Sequence, residues 1–145
     1  QAAMELEFAA DAGPALPAEQ SGGYMLAWKE NDEPDRDGKN AAGFVADWGG
    51  MVHSILNDLR AGAGVPVVAR RFHDALAGCI VPAAVRIGLE RVALSGGCFQ
   101  NRILSEMTID RLSRAGFRPC WHRRVPPNDG GLALGQVVAA MQAIS

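Results

Sequence analysis

The sequence is poor in cysteine and in aromatic residues. Its three cysteines, Cys79, Cys98 and Cys120, are widely spaced and form no CxxC pair, which argues against a disulfide framework and against a four-ligand zinc site. Unpaired thiols are typical of a reducing compartment, so we expect the protein to be cytoplasmic.

Neither an excess of charge nor a long apolar run is present. Lys+Arg 14 against Asp+Glu 16 leaves a formal net charge of −2, which lacks the positive excess of a nucleic-acid binder. No uninterrupted apolar run reaches the roughly 18 residues of a membrane span, and the first residues lack the basic and apolar regions of a signal peptide. We therefore expect a soluble chain, unprocessed at its start, with no nucleic-acid partner and no membrane partner.

The composition that remains fits one compact domain over residues 1–145. Apolar types make up 48% of the 145 residues and charged types 21%, close to the average of soluble domains. A single domain is the expected number for this length, and such a chain can bury about 70% of its unfolded surface.

The first half of the sequence predicts helices around one strand. Helix formers over residues 1–10 begin without a capping residue, which predicts a helix that starts upstream. Residues 24–28 are a short apolar run typical of a buried strand, and residues 29–40 predict an exposed loop without a motif.

Two helices are predicted next along the chain. After two glycines, apolar side chains recur at the spacing of one helix face: Val52, Ile55, Leu56 and Leu59. The second helix runs from Val65 to about Ile87, and Pro82 is expected to end or kink it.

The second half predicts strands that alternate with helices. Residues 91–94 form a strand, Asn101 caps a helix over residues 102–114, and Gly116 takes the left-handed position after that helix. Residues 117–122 are extended. Residues 132–144 are apolar nearly all round and predict a helix buried on several sides. This alternation indicates an α/β layered fold.

The segment Leu94-Ser-Gly-Gly-Cys-Phe-Gln-Asn101 is the sharpest motif. Glycines at a strand-to-helix turn let the main chain approach a ligand, and the helix N-terminus adds partial positive charge, so a phosphate or ribose can be held without a basic side chain. A plain strand-to-helix turn with Asn101 as its cap explains the same residues, and both interpretations stay open at this point.

The segment Pro126-Pro-Asn-Asp-Gly-Gly131 places a carboxylate at the start of the last helix. Asp129 could cap that helix or bind a metal. The histidines His53, His73 and His122 show no helical metal-site spacing, so a complete metal site is not predicted. The arginines between residues 111 and 124 predict a solvated face.

These residues resemble a known family. VALSGGCFQNRIL, then a helix, AGF and RRVPPNDGGLALGQ resemble the C-terminal end of the hydrogenase maturation carbamoyltransferases of the HypF family. QAAMELE and ARRFHDALA are similar to the same family in the same order, and only residues 29–40 have no counterpart. VPPNDGG at this distance from SGGxFQN is far more specific than either motif alone.

The resemblance implies an α/β fold of the actin-like ATPase (ASKHA, RNase H-like) type, with a sheet flanked by helices. Family members are many times longer, so the chain would be the C-terminal lobe of a two-lobed carbamoyl-transfer domain, and the N-terminal lobe would be a missing partner. The family makes carbamoyl-adenylate from carbamoyl phosphate and ATP. It then transfers the carbamoyl group to the C-terminal cysteine of HypE, on the way to the cyanide ligands of the nickel–iron hydrogenase site.

The same resemblance implies roles for single residues. Gly96 and Gly97 would lie against the nucleotide phosphates, Asn101 near the same nucleotide, and Glu5 at the ribose hydroxyls. Asp129 would be one ligand of a divalent metal, zinc or iron, whose other ligands are histidines of a segment that this chain does not contain. The isolated chain is therefore expected to be inactive. Cys98 stands where relatives are expected to carry an aliphatic residue.

Two further functions stay open beside this one. The chain could be a free-standing nucleotide-binding or regulatory module without chemistry, or a structural lobe that binds the other half of the domain. The acceptor in the complete protein could also be another thiol or a hydroxyl instead of HypE.

Overall fold

The computed structural model describes residues 2–12, 23–31 and 43–144. The described residues form helices α1 to α5 and strands β1 to β4, in the order α1 (Ala2–Ala12), β1 (Ala27–Asn31), β2 (Gly43–Asp47), α2 (Gly49–Arg60), α3 (Val65–Ile87), β3 (Arg91–Leu94), α4 (Arg102–Arg114), β4 (Arg118–Trp121) and α5 (Leu132–Ile144). The chain divides into two compact units, Ala9–Ala75 and Gln1–Phe8 with Leu76–Ser145. That residues 1–145 form one domain stays a prediction.

The unit Ala9–Ala75 contains an antiparallel hairpin. β1 pairs with β2 from Ala27 opposite Asp47 to Asn31 opposite Gly43, and the rings of Trp28 and Phe44 meet edge to face at 5.1 Å. The predicted strand over residues 24–28 therefore starts later, at Ala27, and β2 was not predicted. The predicted loop over residues 29–40 begins within β1, and its residues 32–40 lie outside the described part.

The core of this unit lies where α2 and α3 meet the residues before β1. Its buried members are Tyr24, Met51, Val68 and Ala75. The helix predicted after the glycines is confirmed as α2, but the predicted face is wrong in part. Met51 and Ile55 point inward, whereas Leu56 and Leu59 are 43% and 49% exposed.

A polar cluster ties three segments of this unit together. The Tyr24 hydroxyl donates to Asp58 Oδ2 at 2.8 Å, and Arg71 Nη1 donates to the same oxygen at 2.6 Å. Burial, and then the hydrogen bond to Asp58, raise the pKa of Tyr24 to about 12. The hydrogen bonds from Tyr24 and Arg71 lower the pKa of the Asp58 carboxyl. Residues before β1, on α2 and on α3 are therefore joined through one carboxylate.

The other unit is built on a parallel pair of strands with α4 between them in the chain. β3 pairs with β4 from Arg91 opposite Arg118 to Leu94 opposite Trp121. One cluster of its buried core consists of Ala84, Leu94 and Leu112. The predicted α/β alternation of this half is confirmed. Pro82 does not end α3, which continues to Ile87.

Both ends of α4 follow local signals in the sequence. Asn101 Oδ1 accepts from the Leu104 backbone N–H at 2.8 Å, so Asn101 is the predicted cap. Gly116 has φ 86°, and the Phe117 N–H donates to the Leu112 carbonyl at 3.0 Å, which is the Schellman ending that a glycine at this position allows. The predicted bounds of α4 are confirmed.

The last helix, α5, departs from its prediction. Its apolar side chains are exposed within the described part of the chain, with Leu134 at 51%, Val137 at 56% and Met141 at 65%. A helix that is apolar on all sides can be buried, but its own sequence does not show which element would pack against it. Among the described residues, no helix is both long and apolar enough to cross a membrane.

Candidate functional site

The loop with the glycine motif and the loop with the Pro-Pro-Asn-Asp-Gly-Gly motif both begin at one edge of the parallel sheet. Leu94 and Trp121 are the last register pair of β3 and β4, so the loop that starts at Ser95 and the loop that starts at His122 leave the sheet side by side. In open α/β sheets the carboxyl ends of parallel strands are where ligands bind. The pairing of β3 with β4 therefore brings together motifs that lie far apart in the sequence.

Two hydrogen bonds join these loops. The Gly96 N–H donates to the Pro127 carbonyl oxygen at 2.7 Å. Beside it, the Ser95 hydroxyl lies 3.2 Å from His122 Nε2. The glycine motif and the Pro-Pro-Asn-Asp-Gly-Gly motif thus form one continuous surface.

The two glycines of the first loop differ in their backbone. Gly96 has φ 98° and ψ 159°, a conformation that only glycine adopts without strain. Gly97 begins a short 3₁₀ turn, Gly97–Gln100, and a methyl group on either glycine would meet no heavy atom within 4 Å. The main chain here faces open space, as close approach of a ligand requires.

The start of α4 is already occupied by protein groups. Asn101 accepts from the Leu104 N–H, and Glu7 Oε1 accepts from the Arg102 N–H at 2.6 Å. These two amides are therefore not open to an anion, although the sequence predicted a contribution from this helix N-terminus. The cap on α4 is confirmed, and the contact of Asn101 with a nucleotide stays a prediction.

Glu5 is exposed on α1. Residues two apart on a helix point in nearly opposite directions, so Glu5 does not share the direction of Glu7, the α1 carboxylate that reaches α4. The structure does not join Glu5 to the two loops by a hydrogen bond, and its ribose contact stays a prediction.

Asp129 begins a short 3₁₀ turn, Asp129–Gly131, but it does not cap that turn. The Asn128 side chain accepts from the Gly130 N–H at 3.1 Å, while the Asp129 carboxylate is exposed and bonds to no other described residue. The alternative of a capping carboxylate is therefore not observed, because the Asp129 carboxylate accepts no main-chain N–H and the turn Asp129–Gly131 is capped by Asn128. Its role as a metal ligand stays a prediction. Within residues 2–12, 23–31 and 43–144, no three His, Cys, Asp or Glu side chains are grouped as a metal site requires.

A cavity of about 210 Å³ opens beside the loops, between α4 and the strand ends. Trp121 and His122 line it together with Phe99, Arg102 and Ile109, and the predicted residues Gly96, Gly97, Asn101 and Asp129 do not. The predicted site residues thus lie on the open edge, and His122 lies where that edge meets the cavity.

The pair of Ser95 and His122 was not predicted. The two residues are separated by 27 positions, and His122 was considered only as a metal ligand. The available signal was the prediction of extended residues ending at 94 and at 122, since the carboxyl ends of parallel strands adjoin.

The remaining polar candidates are less informative. His73 is 2% exposed and its Nδ1 lies 2.8 Å from the Ala69 carbonyl oxygen, so this imidazole is packed inside the fold. Cys98 is exposed on the short turn. Arg114 and Arg118 pair with Asp110 and Glu90 on the surface, as a solvated face predicts.

Comparison with known proteins identifies the class to which this fold and edge belong. A family model described as "Carbamoyltransferase, Kae1-like Domain, second subdomain" matches residues 1–136. The chain therefore belongs to the HypF carbamoyltransferase family, as the resemblance of its motifs indicated.

Individual relatives agree with this assignment. The carbamoyltransferase HypF of Synechocystis sp. is 42% identical over 100 residues, which cover 69% of this chain and 13% of the relative. A HypF homolog of Cupriavidus necator is 39% identical over 151 residues, which cover 98% of this chain and 35% of the relative. The chain thus spans roughly an eighth to a third of these proteins.

Solved structures share the fold. A crystal structure of full-length HypF, described as the phosphate- and nucleotide-bound form, matches 99% of this chain with a TM-score of 0.80 and 30% identity, and the match covers 17% of that chain. The structure of T. kodakarensis HypF matches 98% of this chain with a TM-score of 0.67 and 22% identity, which shows the fold alone. The predicted α/β fold is confirmed.

Proposed function

We propose that this chain forms part of a carbamoyltransferase that makes carbamoyl-adenylate from carbamoyl phosphate and ATP. The carbamoyl group would pass to the C-terminal cysteine thiol of a HypE acceptor protein during [NiFe]-hydrogenase maturation. We further propose that this takes place in the cytoplasm, and the free thiols of Cys79, Cys98 and Cys120 support a reducing compartment.

One observation carries the proposal beyond family membership. The Gly96 N–H bonds to the Pro127 carbonyl, so the glycine loop and the Asn128-Asp129 turn form one edge at the ends of β3 and β4. A phosphate-binding main chain and a ligand carboxylate must lie side by side for transfer from a nucleotide, and this bond supports that arrangement. A relative with this fold is described as solved in a phosphate- and nucleotide-bound form, which supports nucleotide binding within the family.

The proposed roles follow from the exposed groups of this edge. Gly96 and Gly97 are proposed to lie against the nucleotide phosphates, since neither carries a side chain that would block a ligand. The Gly96 N–H already donates to Pro127, so the Gly97 N–H is the donor proposed for a phosphate oxygen, and Asn101 lies four residues further along. Glu5 is proposed at the ribose hydroxyls, on the strength of the sequence resemblance alone.

Asp129 is proposed as one ligand of a divalent metal, zinc or iron. Its carboxylate is exposed and the capping role belongs to Asn128, so its oxygens fit such a ligand, while the described residues supply no complete set. A divalent ion bound there would polarise a carbonyl oxygen. The other ligands and the opposing nucleotide wall would come from the N-terminal lobe, and we therefore expect the isolated chain to be inactive.

The test uses the complete protein and this chain in parallel. Each is incubated with carbamoyl phosphate, ATP and a cysteine-ended acceptor peptide, and the thiol is examined by mass spectrometry. We expect carbamoylation with the complete protein and none with this chain. Carbamoyl transfer by this chain alone would refute the proposal that the N-terminal lobe supplies part of the site. Nucleotide binding without transfer by the complete protein would favour a non-catalytic module.

A further inference from the structure

Ser95 and His122 form a hydroxyl–imidazole pair at the open edge of the sheet. The Ser95 Oγ lies 3.2 Å from His122 Nε2, and both residues are exposed. Neither side chain bonds to another described residue. The pair is therefore accessible to a ligand, unlike the buried His73.

Joining the strands does not account for this pair. β3 and β4 are already held by their backbone ladder, and the loops by the bond from Gly96 to Pro127. An exposed hydrogen bond competes with water and adds little to stability. His122 also lines the cavity beside α4, and concave surfaces with a few polar groups at their edge are where small ligands bind.

The pair does not have the geometry of an activated nucleophile. Such a site needs a third group that orients the imidazole, and no described residue bonds to Nδ1 of His122. The hydrogen bond between Ser95 and His122 orients the serine hydroxyl when His122 Nε2 carries the proton. Nε2–H then donates to Ser95 Oγ, and the serine O–H is left to donate to another oxygen.

The position of Ser95 indicates which ligand oxygen could accept the hydrogen bond from its hydroxyl. Ser95 directly precedes Gly96, and consecutive Cα atoms lie about 3.8 Å apart, so a group that contacts the glycine main chain is within reach of the serine hydroxyl. Arg102 and Glu106, which also line the cavity, are paired with each other at 3.1 Å.

We propose that Ser95 donates a hydrogen bond to a phosphoryl oxygen of the nucleotide and that His122 is the positioning residue that orients this hydroxyl. This inference rests on the proposed function, since it requires a nucleotide phosphate at the glycine loop. It adds a side-chain contact to an anion site otherwise built from main chain.

The experiment compares AMP with adenosine in the complete protein by titration calorimetry. Ser95→Ala removes the donor and should weaken AMP about ten- to hundredfold, the equivalent of one lost hydrogen bond to a charged group. Adenosine affinity should be unchanged. Ser95→Thr keeps a hydroxyl and should restore AMP binding. His122→Phe should lose part of the AMP affinity, and His122→Gln, which keeps a donor near Nε2, should regain it.

A role confined to folding predicts a different pattern. Equal losses for AMP and adenosine in Ser95→Ala, in step with a lower melting temperature, would overturn the proposal. Gly97→Val separates it from the proposed function. One contrary outcome is that Gly97→Val abolishes the preference for AMP while Ser95→Ala and His122→Phe leave it intact. That result would refute the serine contact and would support the proposed nucleotide site at the glycine loop. A wild-type protein without a preference for AMP over adenosine would refute both the serine contact and the nucleotide site at the glycine loop.

Discussion

Gly96 and Gly97 are adjacent but have different backbone requirements. Gly96 has φ 98° and ψ 159°, so Gly96→Ala should destabilise the fold by about 1–3 kcal/mol. Gly97→Ala meets no heavy atom within 4 Å and should change the free energy of unfolding by less than about 0.5 kcal/mol. Thermal unfolding with AMP titration in the complete protein checks both. We expect Gly97→Ala to lose AMP affinity at an unchanged melting temperature, and equal destabilisation by the two variants would contradict this.

Asn128 and Asp129 allow capping to be separated from metal binding. Asn128→Ala removes the acceptor for the Gly130 N–H and should destabilise by about 1 kcal/mol. Asp129→Asn removes no cap and should leave the melting temperature unchanged. If Asp129 is a metal ligand, that variant of the complete protein should lose metal content and carbamoyl transfer.

Elemental analysis and transfer rates decide this second case. Normal metal content and normal turnover in Asp129→Asn would refute the ligand assignment, and Asn128→Ala is the matched control for damage to the turn itself.

At the residue scale, sequence reasoning found groups that act locally and missed those that act across the fold. Asn101 and Gly116 were predicted because a cap and a left-handed ending depend on a few neighbouring residues. The contact of Ser95 with His122 depends on the register of β3 and β4, which no single segment encodes. Likewise, nothing in the local pattern decided whether Asn128 or Asp129 would cap the turn.

At the scale of elements, the cluster of Tyr24, Asp58 and Arg71 predicts an acid dependence of stability. Hydrogen bonds from Tyr24 and Arg71 hold the pKa of the Asp58 carboxyl below its ordinary value of 3.8. A lowered folded-state pKa stabilises the fold at pH values above the unfolded-state pKa, and this stabilisation is lost as the pH falls through the folded-state pKa.

Asp58→Asn should therefore lower the free energy of unfolding by about 1–3 kcal/mol at pH 7, with a smaller difference from the wild type at acid pH. Urea unfolding of both proteins at several pH values measures this. Asp110→Asn is the control, because Asp110 forms only an exposed pair with Arg114 and should have an effect below about 0.5 kcal/mol. A difference between wild type and Asp58→Asn that does not depend on pH would contradict the role of the carboxylate.

The elements themselves differ in how well sequence defines them. The bounds of α4 were predicted because it carries a cap at one end and a glycine at the other. β2 was missed because residues 43–47 are short and become a strand only through pairing with β1. In α2 the helical period was correct, but the inward direction is set by Met51 and Ile55, which pack against Tyr24 and α3.

For the whole molecule, the exposed helix α5 predicts association of the isolated chain. Its large apolar side chains Leu134, Val137, Val138 and Met141 recur at helical spacing and are all about half exposed or more. Contiguous apolar surface of this kind binds partners or aggregates. Met4 and Phe8 of α1 are exposed as well, at 59% and 69%.

Replacing Val137 and Met141 together by glutamate should reduce hydrophobic dye fluorescence and shift the isolated chain towards a monomer in size-exclusion chromatography. Gln136→Glu with Ala143→Glu adds the same charge on the opposite side of α5 and should change neither reading. An isolated wild-type chain that is monomeric and binds no dye would contradict the prediction. The burial of α5 was mispredicted because an apolar sequence specifies what a helix requires and not where its partner lies.

The hydrogen bond from Gly96 to Pro127 also makes one amide proton a reporter. Pro127 has no N–H, so the link between the loops depends on its carbonyl alone, and the Gly96 proton exchanges with deuterated water only when the loops separate. The exchange rate at Gly96 therefore measures how often the edge opens. A ligand that holds both loops should slow exchange at this single position far more than at the solvent-facing amides around it.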